Sequence, residues 1–227
     1  MRRDILDGAQ WRVDEGDCLE VLAGLPEASV DAIVTDPPYG IGWMRGTWVD
    51  DPEGYGDMMR EFVRLANRVV GGGPVFVWQA MPNAPRWHEW FPSEFRIFAA
   101  CKGFVQYRPT PVQWSWDPVI FWGKCPCEPS FEHRDWTTAN PNFGDGNSHC
   151  CPRPTGHVSY ILRLATLSGG IVLDPFAGSG TTGLVAIREG RRFLGIELSP
   201  EYADMARRRI GQSQPPLFAD AAPDDPA

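Results

Sequence analysis

The chain has 227 residues, 43% of them hydrophobic, which is enough for one sizeable core and too few for two large domains. No apolar run reaches the roughly 18 residues of a membrane span, and the N-terminus MRRDILDGAQW has charge but lacks the apolar stretch of a secretory signal. The formal net charge is −8, so bulk electrostatics does not equip the chain to grip nucleic acid, where Lys and Arg on phosphate supply most non-specific affinity.

In chain order, Trp11-Arg12-Val13 reads as a short strand running into Gly16-Asp17, and Cys18 to Leu25 as a short helix stopped by Pro26. Val30 to Thr35 is an apolar strand ending at Asp36-Pro37-Pro38-Tyr39. Met58, Met59, Phe62, Leu65, Ala66 and Val69 share one helical face, which predicts a helix over 58–70, broken by Gly71-Gly72-Gly73-Pro74. Strands are predicted at Val75–Trp78, Phe95–Ala100 and Pro118–Trp122. Residues 123–154 are rich in Pro, Asn, Cys, His and aromatics and show no period, so an irregular loop is expected there. A helix over His157–Leu167, a strand at Ile171–Leu173, a helix over Thr181–Glu189 and a strand at Arg192–Ile196 follow. The last helix starts with Ser199 as N-cap and Pro200 in its first turn, and Gly211 is its expected stop. Strands alternating with helices predict an α/β domain, a mostly parallel sheet covered on both faces. The expected organisation is a catalytic half (1–122), an irregular insertion that is a candidate target-recognition region (123–154), a cofactor-binding half (155–211) and a flexible tail (212–227).

Asp174-Pro175-Phe176-Ala177-Gly178-Ser179-Gly180-Thr181-Thr182 joins a strand, a tight turn and a helix start. Without Cβ atoms at Gly178 and Gly180 a ligand can approach the backbone closely. The turn lies at a strand's carboxyl end, where open α/β sheets bind ligands. Glu197 ends the next strand and can accept from ribose hydroxyls. The G-x-G-x-x-G phosphate fingerprint is absent, so the ligand reads as a nucleoside without pyrophosphate, and S-adenosyl-L-methionine fits. The competing reading is a glycine turn that serves helix packing alone.

At Asp36-Pro37-Pro38-Tyr39 two prolines force the chain out of the sheet. The Asp36 carboxylate and the Pro37 carbonyl are two acceptors that can grip the two N–H groups of an exocyclic amine, whose lone pair is otherwise delocalised into its ring. Tyr39 offers an aromatic face to a base flipped out of its stack. The competing reading is a proline turn with an incidental aromatic.

These segments resemble the DNA amino-methyltransferase family, in its permuted order with the catalytic tetrapeptide before the cofactor loop. Asp36, Pro37, Pro38 and Tyr39 match the tetrapeptide. Asp174 to Thr182 match the loop, including Phe176, Ala177, Gly178, Ser179, Gly180 and Thr181; Glu197 matches the ribose-binding acid, with Leu198 beside it. Gly16-Asp17-Cys18-Leu19 resembles the N-terminal motif, which implies that Asp17, with Cys18, meets the cofactor's adenine; Asp36 is placed at the cofactor as well as the base. His149 to Pro154 resembles the motif ending in Lys-Pro before the cofactor helix, with Arg153 where Lys is usual. The resemblance implies a Rossmann-like class I methyltransferase fold with one antiparallel strand near an edge, S-adenosyl-L-methionine as cofactor and DNA as partner. The Asp form of the tetrapeptide leans to adenine N6 and the Ser form to cytosine N4, and either amine suits the acceptors. An RNA or small-amine methyltransferase would use the same cofactor loop. A non-catalytic nucleoside-binding module has no physical need for all of Asp36 to Tyr39.

Four lesser signals remain. The six cysteines read as reduced thiols of a cytoplasmic protein. Cys125, Cys127, His133, His149, Cys150, Cys151 and His157 are of metal-ligand type, but their spacing is not a standard finger, and no metal is expected at the site. Trp136, Asn140, Asn142, Phe143 and Asn147 can stack on bases or bond their edges, whereas Trp114, Trp116 and Trp122 read as core or pocket wall. Gln214-Pro215-Pro216-Leu217-Phe218 resembles the short peptide that docks on the bacterial sliding clamp.

Overall fold

The computed structural model describes residues 4–42, 53–106, 111–140 and 153–213. Eight strands form one sheet: β1 (Trp11–Glu15), β2 (Ala32–Thr35), β3 (Val75–Trp78), β4 (Arg96–Gln106), β5 (Trp114–Trp122), β6 (Trp136–Ala139), β7 (Ile171–Asp174) and β8 (Arg192–Glu197). Their order is β1-β8-β7-β2-β3-β5-β4-β6. Each neighbouring pair is parallel except the two that involve β5. The helices are α1 (Cys18–Gly24), α2 (Tyr55–Val70), α3 (Trp87–Trp90), α4 (Thr155–Ala165), α5 (Thr181–Arg188) and α6 (Pro200–Gly211), with a 3₁₀ segment at Met81–Arg86.

Side-chain alternation along the central strands produces two cores. In β2, Ile33 faces one side, while Ala32 and Val34 face the other; in β3, Val75 and Val77 oppose Phe76 and Trp78. The first core holds α1, α2 and α3 through Leu22, Met59, Phe62, Leu65, Val69 and Trp90. The second holds α4, α5 and α6 through Val158, Ile161, Leu162, Ala186, Ala206 and Ile210. This three-layer arrangement is the covered, mostly parallel α/β sheet that the alternation of elements predicts.

Several boundaries differ from the sequence expectation. Helix α2 begins three residues early, and it ends where Gly71, at φ 58°, donates its N–H to the Asn67 carbonyl. Helix α6 has its Ser199 N-cap but runs through Gly211, so that glycine is not its stop. The expected irregular stretch contains β6, whose Trp136–Ala139 pairs with Ala99–Lys102 of β4. Strands β4 and β5 are longer than predicted, and their ribbon carries Trp114 and Trp116 into solvent at 47% and 37% exposure. Trp122 is buried, so only this third tryptophan fills the core role expected of the set. Among the described residues no helix is long and apolar enough to cross a membrane.

Candidate active site

The carboxyl ends of β1, β8, β7, β2 and β3 share one rim, because these five strands are parallel. Asp17, Glu197, the Gly178–Gly180 turn and Asp36–Tyr39 therefore follow β1, β8, β7 and β2 in spatial order. Strand β5 runs the other way, so its early residue Asp117 reaches the same rim beside the end of β3, where Gln79 N–H donates to the Pro118 carbonyl.

The two corners singled out in the sequence leave adjacent strands and are tied together. Thr35 Oγ1 donates to Asp174 Oδ1 at 2.6 Å, and the Phe176 N–H donates to the same oxygen at 3.1 Å. Asp174 is buried, and burial pushes its carboxyl up to about 6, against the bonds from Thr35, Thr182 and Phe176. Beyond it, Gly178 has φ 51° and Gly180 φ 81°. A Cβ on Gly180 would sit 2.9 Å from Ala206 Cα in α6, so helix packing demands this glycine whatever the turn binds. Arg209 of α6 donates to the Ser179 carbonyl and hydroxyl at 2.5 and 2.9 Å, which fixes the turn from behind. Thr181, Thr182 and Ala177 are buried.

Glu197 holds the turn from the neighbouring strand. Its Oε2 accepts from Gly178 N–H at 2.7 Å and its Oε1 from Ser199 N–H at 2.9 Å. Burial raises its carboxyl. The Leu198 N–H bonds it as well, so about one of the carboxylate's roughly four acceptor directions is left for a ligand hydroxyl. Leu198, beside it, is 68% exposed. Asp17 is the N-cap of α1, its Oδ1 accepting from Leu19 and Glu20 N–H at 2.8 and 3.2 Å. Cys18 is buried; burial, then the Asp17 charge, pushes its thiol up to about 12, so it stays protonated and is no nucleophile.

At the other corner Tyr39 Oη donates to Asp36 Oδ1 at 2.6 Å. Burial holds the phenol well above its usual range, with Arg153 opposing. Asn83 of the 3₁₀ segment donates to the Tyr39 carbonyl at 2.8 Å. Arg153 clasps Asp36: Nε reaches Oδ2 at 2.6 Å and Nη2 reaches Oδ1 at 3.0 Å, while Nη2 also donates to Tyr39 Oη. Its Nη1 donates to Asp117 Oδ2 at 2.9 Å, and Lys102 Nζ pairs with Asp117 Oδ1 at 2.8 Å. Burial works against the Arg153 charge, but the Asp36 carboxylate and its neighbours hold it ionised.

The structure thus brings Asp17, Cys18, Asp36–Tyr39, Asp174–Thr182, Glu197 and Leu198 to one rim. Sequence reasoning missed Thr35, Asn83, Asp117 and Arg209. Asp117 did carry a signal, being a lone acid inside the aromatic run WSWDPVIFW. Of the metal-type residues, His157, Cys125 and Cys127 have other partners, and His133 is exposed. His157 Nε2 lies 2.8 Å from the Cys101 carbonyl and donates to it, since a carbonyl only accepts. The free thiols of Cys125 and Cys127 share a hydrogen bond. Residues His149, Cys150 and Cys151, the bases' candidate partners Asn142, Phe143 and Asn147, and the segment Gln214–Phe218 lie outside the described residues. Among the described residues no group of three or more His, Cys, Asp or Glu is placed to hold a metal ion.

Comparison with known proteins gives concordant matches. A sequence-family model described as DNA methylase matches residues 106–208. The DNA adenine methyltransferase YhdJ of Escherichia coli K12 is 28% identical over 240 residues, spanning 86% of this chain and 81% of YhdJ. The crystal structure of TTHA0409 from Thermus thermophilus, complexed with S-adenosyl-L-methionine, superposes with a TM-score of 0.66 at 27% identity, covering 91% of this chain and 95% of that one. The cytosine-N4-specific PvuII DNA methyltransferase shares the fold, with a TM-score of 0.69 at 20% identity over 88% and 86% of the two chains.

Proposed function

We propose that the chain is a DNA amino-methyltransferase, with the Rossmann-like α/β fold of class I methyltransferases, and that it methylates the N6 amino group of adenine in DNA. The observation that carries this reading is the juxtaposition of Asp36–Tyr39 with the Gly178–Gly180 turn on neighbouring strands, joined by the Thr35–Asp174 bond of 2.6 Å.

The rim suits S-adenosyl-L-methionine, which when bound supplies an electrophilic methyl group. Gly178 and Gly180 bend the turn through left-handed backbone. Glu197 presents acceptors to the ribose, exposed Leu198 offers an apolar cover for the adenine, and Asp17 stands at the far end of the same rim. Asp36 and the Pro37 carbonyl take the two N–H groups of the target amine. That favours a pyramidal nitrogen whose lone pair is free to react. Pro38 fixes the corner, and Tyr39 supports the extruded base. No covalent bond between enzyme and base is needed.

Adenine is favoured by the Asp form of the tetrapeptide and by the similarity to YhdJ, named as an adenine methyltransferase. The insertion at 123–154 is the proposed target-recognition region. Its support is Trp136, 44% exposed, with Arg134 stacked 5.3 Å above its ring. The proposed clamp peptide is Gln214–Phe218; a synthetic peptide of this sequence should bind a bacterial sliding clamp, and loss of Leu217 and Phe218 should abolish that binding. The main test is methylation-aware sequencing of DNA from cells that express the protein, alongside labelled-cofactor assays on duplex DNA, RNA and small amines. Methyl groups on adenine N6 in a fixed context are expected; methylation confined to cytosine N4, or transfer only to RNA or small amines, overturns the reading.

A further inference from the structure

We propose that Arg153 is a stand-in for the target base, holding the amine-acceptor site in the resting protein, and that Asp117 is the positioning residue that retains it once the base enters. The inference rests on the proposed role of Asp36 as an acceptor for the amine.

The geometry is specific. The Arg153 guanidinium is planar and presents two N–H groups to the two oxygens of Asp36, at 2.6 and 3.0 Å. It also bonds the Tyr39 hydroxyl. Its central carbon lies 6.0 Å from the Tyr39 ring centre and 5.8 Å from that of Trp78, within the reach of cation–π attraction for both. A flat, N–H-bearing group set against these rings with its donors on Asp36 has the attributes of an extruded base presenting its amine. Asp36 Oδ1 accepts from both Arg153 and Tyr39, and Oδ2 from Arg153, so an amine that takes the clasped position has to displace the guanidinium.

The release path is built in. Only Nη1 of Arg153 bonds Asp117, at 2.9 Å. The two bonds to Asp36 can therefore open while the third is kept, and the charge is never left without a partner. Lys102 holds the other oxygen of Asp117 at 2.8 Å, which fixes the receiving carboxylate. Arg153 comes from the entry to α4, and Asp117 from β5, which runs against both of its neighbours. A lysine, the residue usual at this position of the motif, is a point charge without a planar fork and cannot clasp Asp36 and hold Asp117 together.

The first test needs neither DNA nor cofactor. In arginine side-chain NMR of the free protein, the Arg153 Nε–H, identified by its loss in R153K, should exchange far more slowly than exposed arginines. It should lose that protection in Asp36→Asn. Exchange at the rate of exposed arginines overturns the proposal. The second test is steady-state methyl transfer to DNA. R153K should lower KM for DNA roughly three- to tenfold, the scale on which the net worth of one hydrogen bond acts, with kcat unchanged or raised. D117N should lower kcat by slowing release, and R153K introduced into D117N should restore it, a rescue that a merely structural role of Asp117 does not predict. A fall in kcat in R153K at constant KM, or additive losses in the double variant, also overturns the proposal. If the wild-type protein methylates no nucleic acid, the functional reading fails on its own account, and the exchange experiment alone decides the clasp.

Discussion

Asp36 and Asp174 stand at the ends of adjacent strands yet have opposite surroundings, and each carries its own prediction. Asp36 meets Arg153 and Tyr39 at a part-open rim. Asp36→Ala should retain cofactor binding, measured by calorimetry, and lose methyl transfer at least about a hundredfold, the lower end of the range for one positioned catalytic group; undiminished transfer would remove Asp36 from the reaction. Asp174 is buried, and its carboxyl sits near 6 instead of the usual 3.8. Between those two values the folded chain keeps a proton that the unfolded chain has released. Acidification through that window therefore favours the fold, and raising the pH through about 6 removes the advantage, on the order of 3 kcal/mol at most. Asp174→Asn keeps an oxygen for Thr35 and Phe176 without the charge. Relative to the wild type, this variant should gain stability in denaturant titrations as the pH rises from 5 to 7.5; a constant difference would count against the burial argument.

Elements differ in how far their residues reveal them. The central strands and α2, α5 and α6 were legible because each buries a full face, so Ile33, Val75, Phe62 and Ala206 repeat at the period of their element. Strand β6 was hidden. Its four residues alternate between half-buried and exposed and draw their order from pairing with β4. The extension of β4 and β5 was hidden too, since a ribbon beyond the core needs no apolar alternation. The short helix α3 follows a proline-containing 3₁₀ turn, and four residues carry no period. The candidate site was legible where a motif demands a residue type, as at Asp36 and Gly178. It was not where the requirement is spatial: Asp117 lies 36 residues from Arg153 and Asn83 lies 44 from Tyr39. The β7–α5 turn shows both kinds of demand. Gly180→Ala should lower stability by about 1–2 kcal/mol from its left-handed backbone alone, and by more because its Cβ meets α6 at 2.9 Å. Thermal unfolding without ligand checks this, and an unchanged midpoint would mean that α6 yields freely.

Across the whole molecule, charge and site pull in different directions. A formal charge of −8 disfavours broad phosphate contact, although the proposed substrate is DNA. Binding to random duplex should therefore be weak, and its logarithm should fall with log salt at a shallow slope, close to the contribution of a few phosphates at about 0.9 each. A steep slope in fluorescence anisotropy would reveal a basic surface that the totals conceal. Removing residues 214–227 takes away three acidic side chains and no basic one, so it should strengthen random-duplex binding modestly.

The margins of the sheet bear on how molecules of this protein meet. The outermost strands, β1 and β6, are five and four residues long. Unpaired backbone on a sheet's flank is a template on which another chain can add itself, and brevity is one way of blunting it. Such short flanks give a neighbouring copy little to zip onto, which disfavours fibre-like growth.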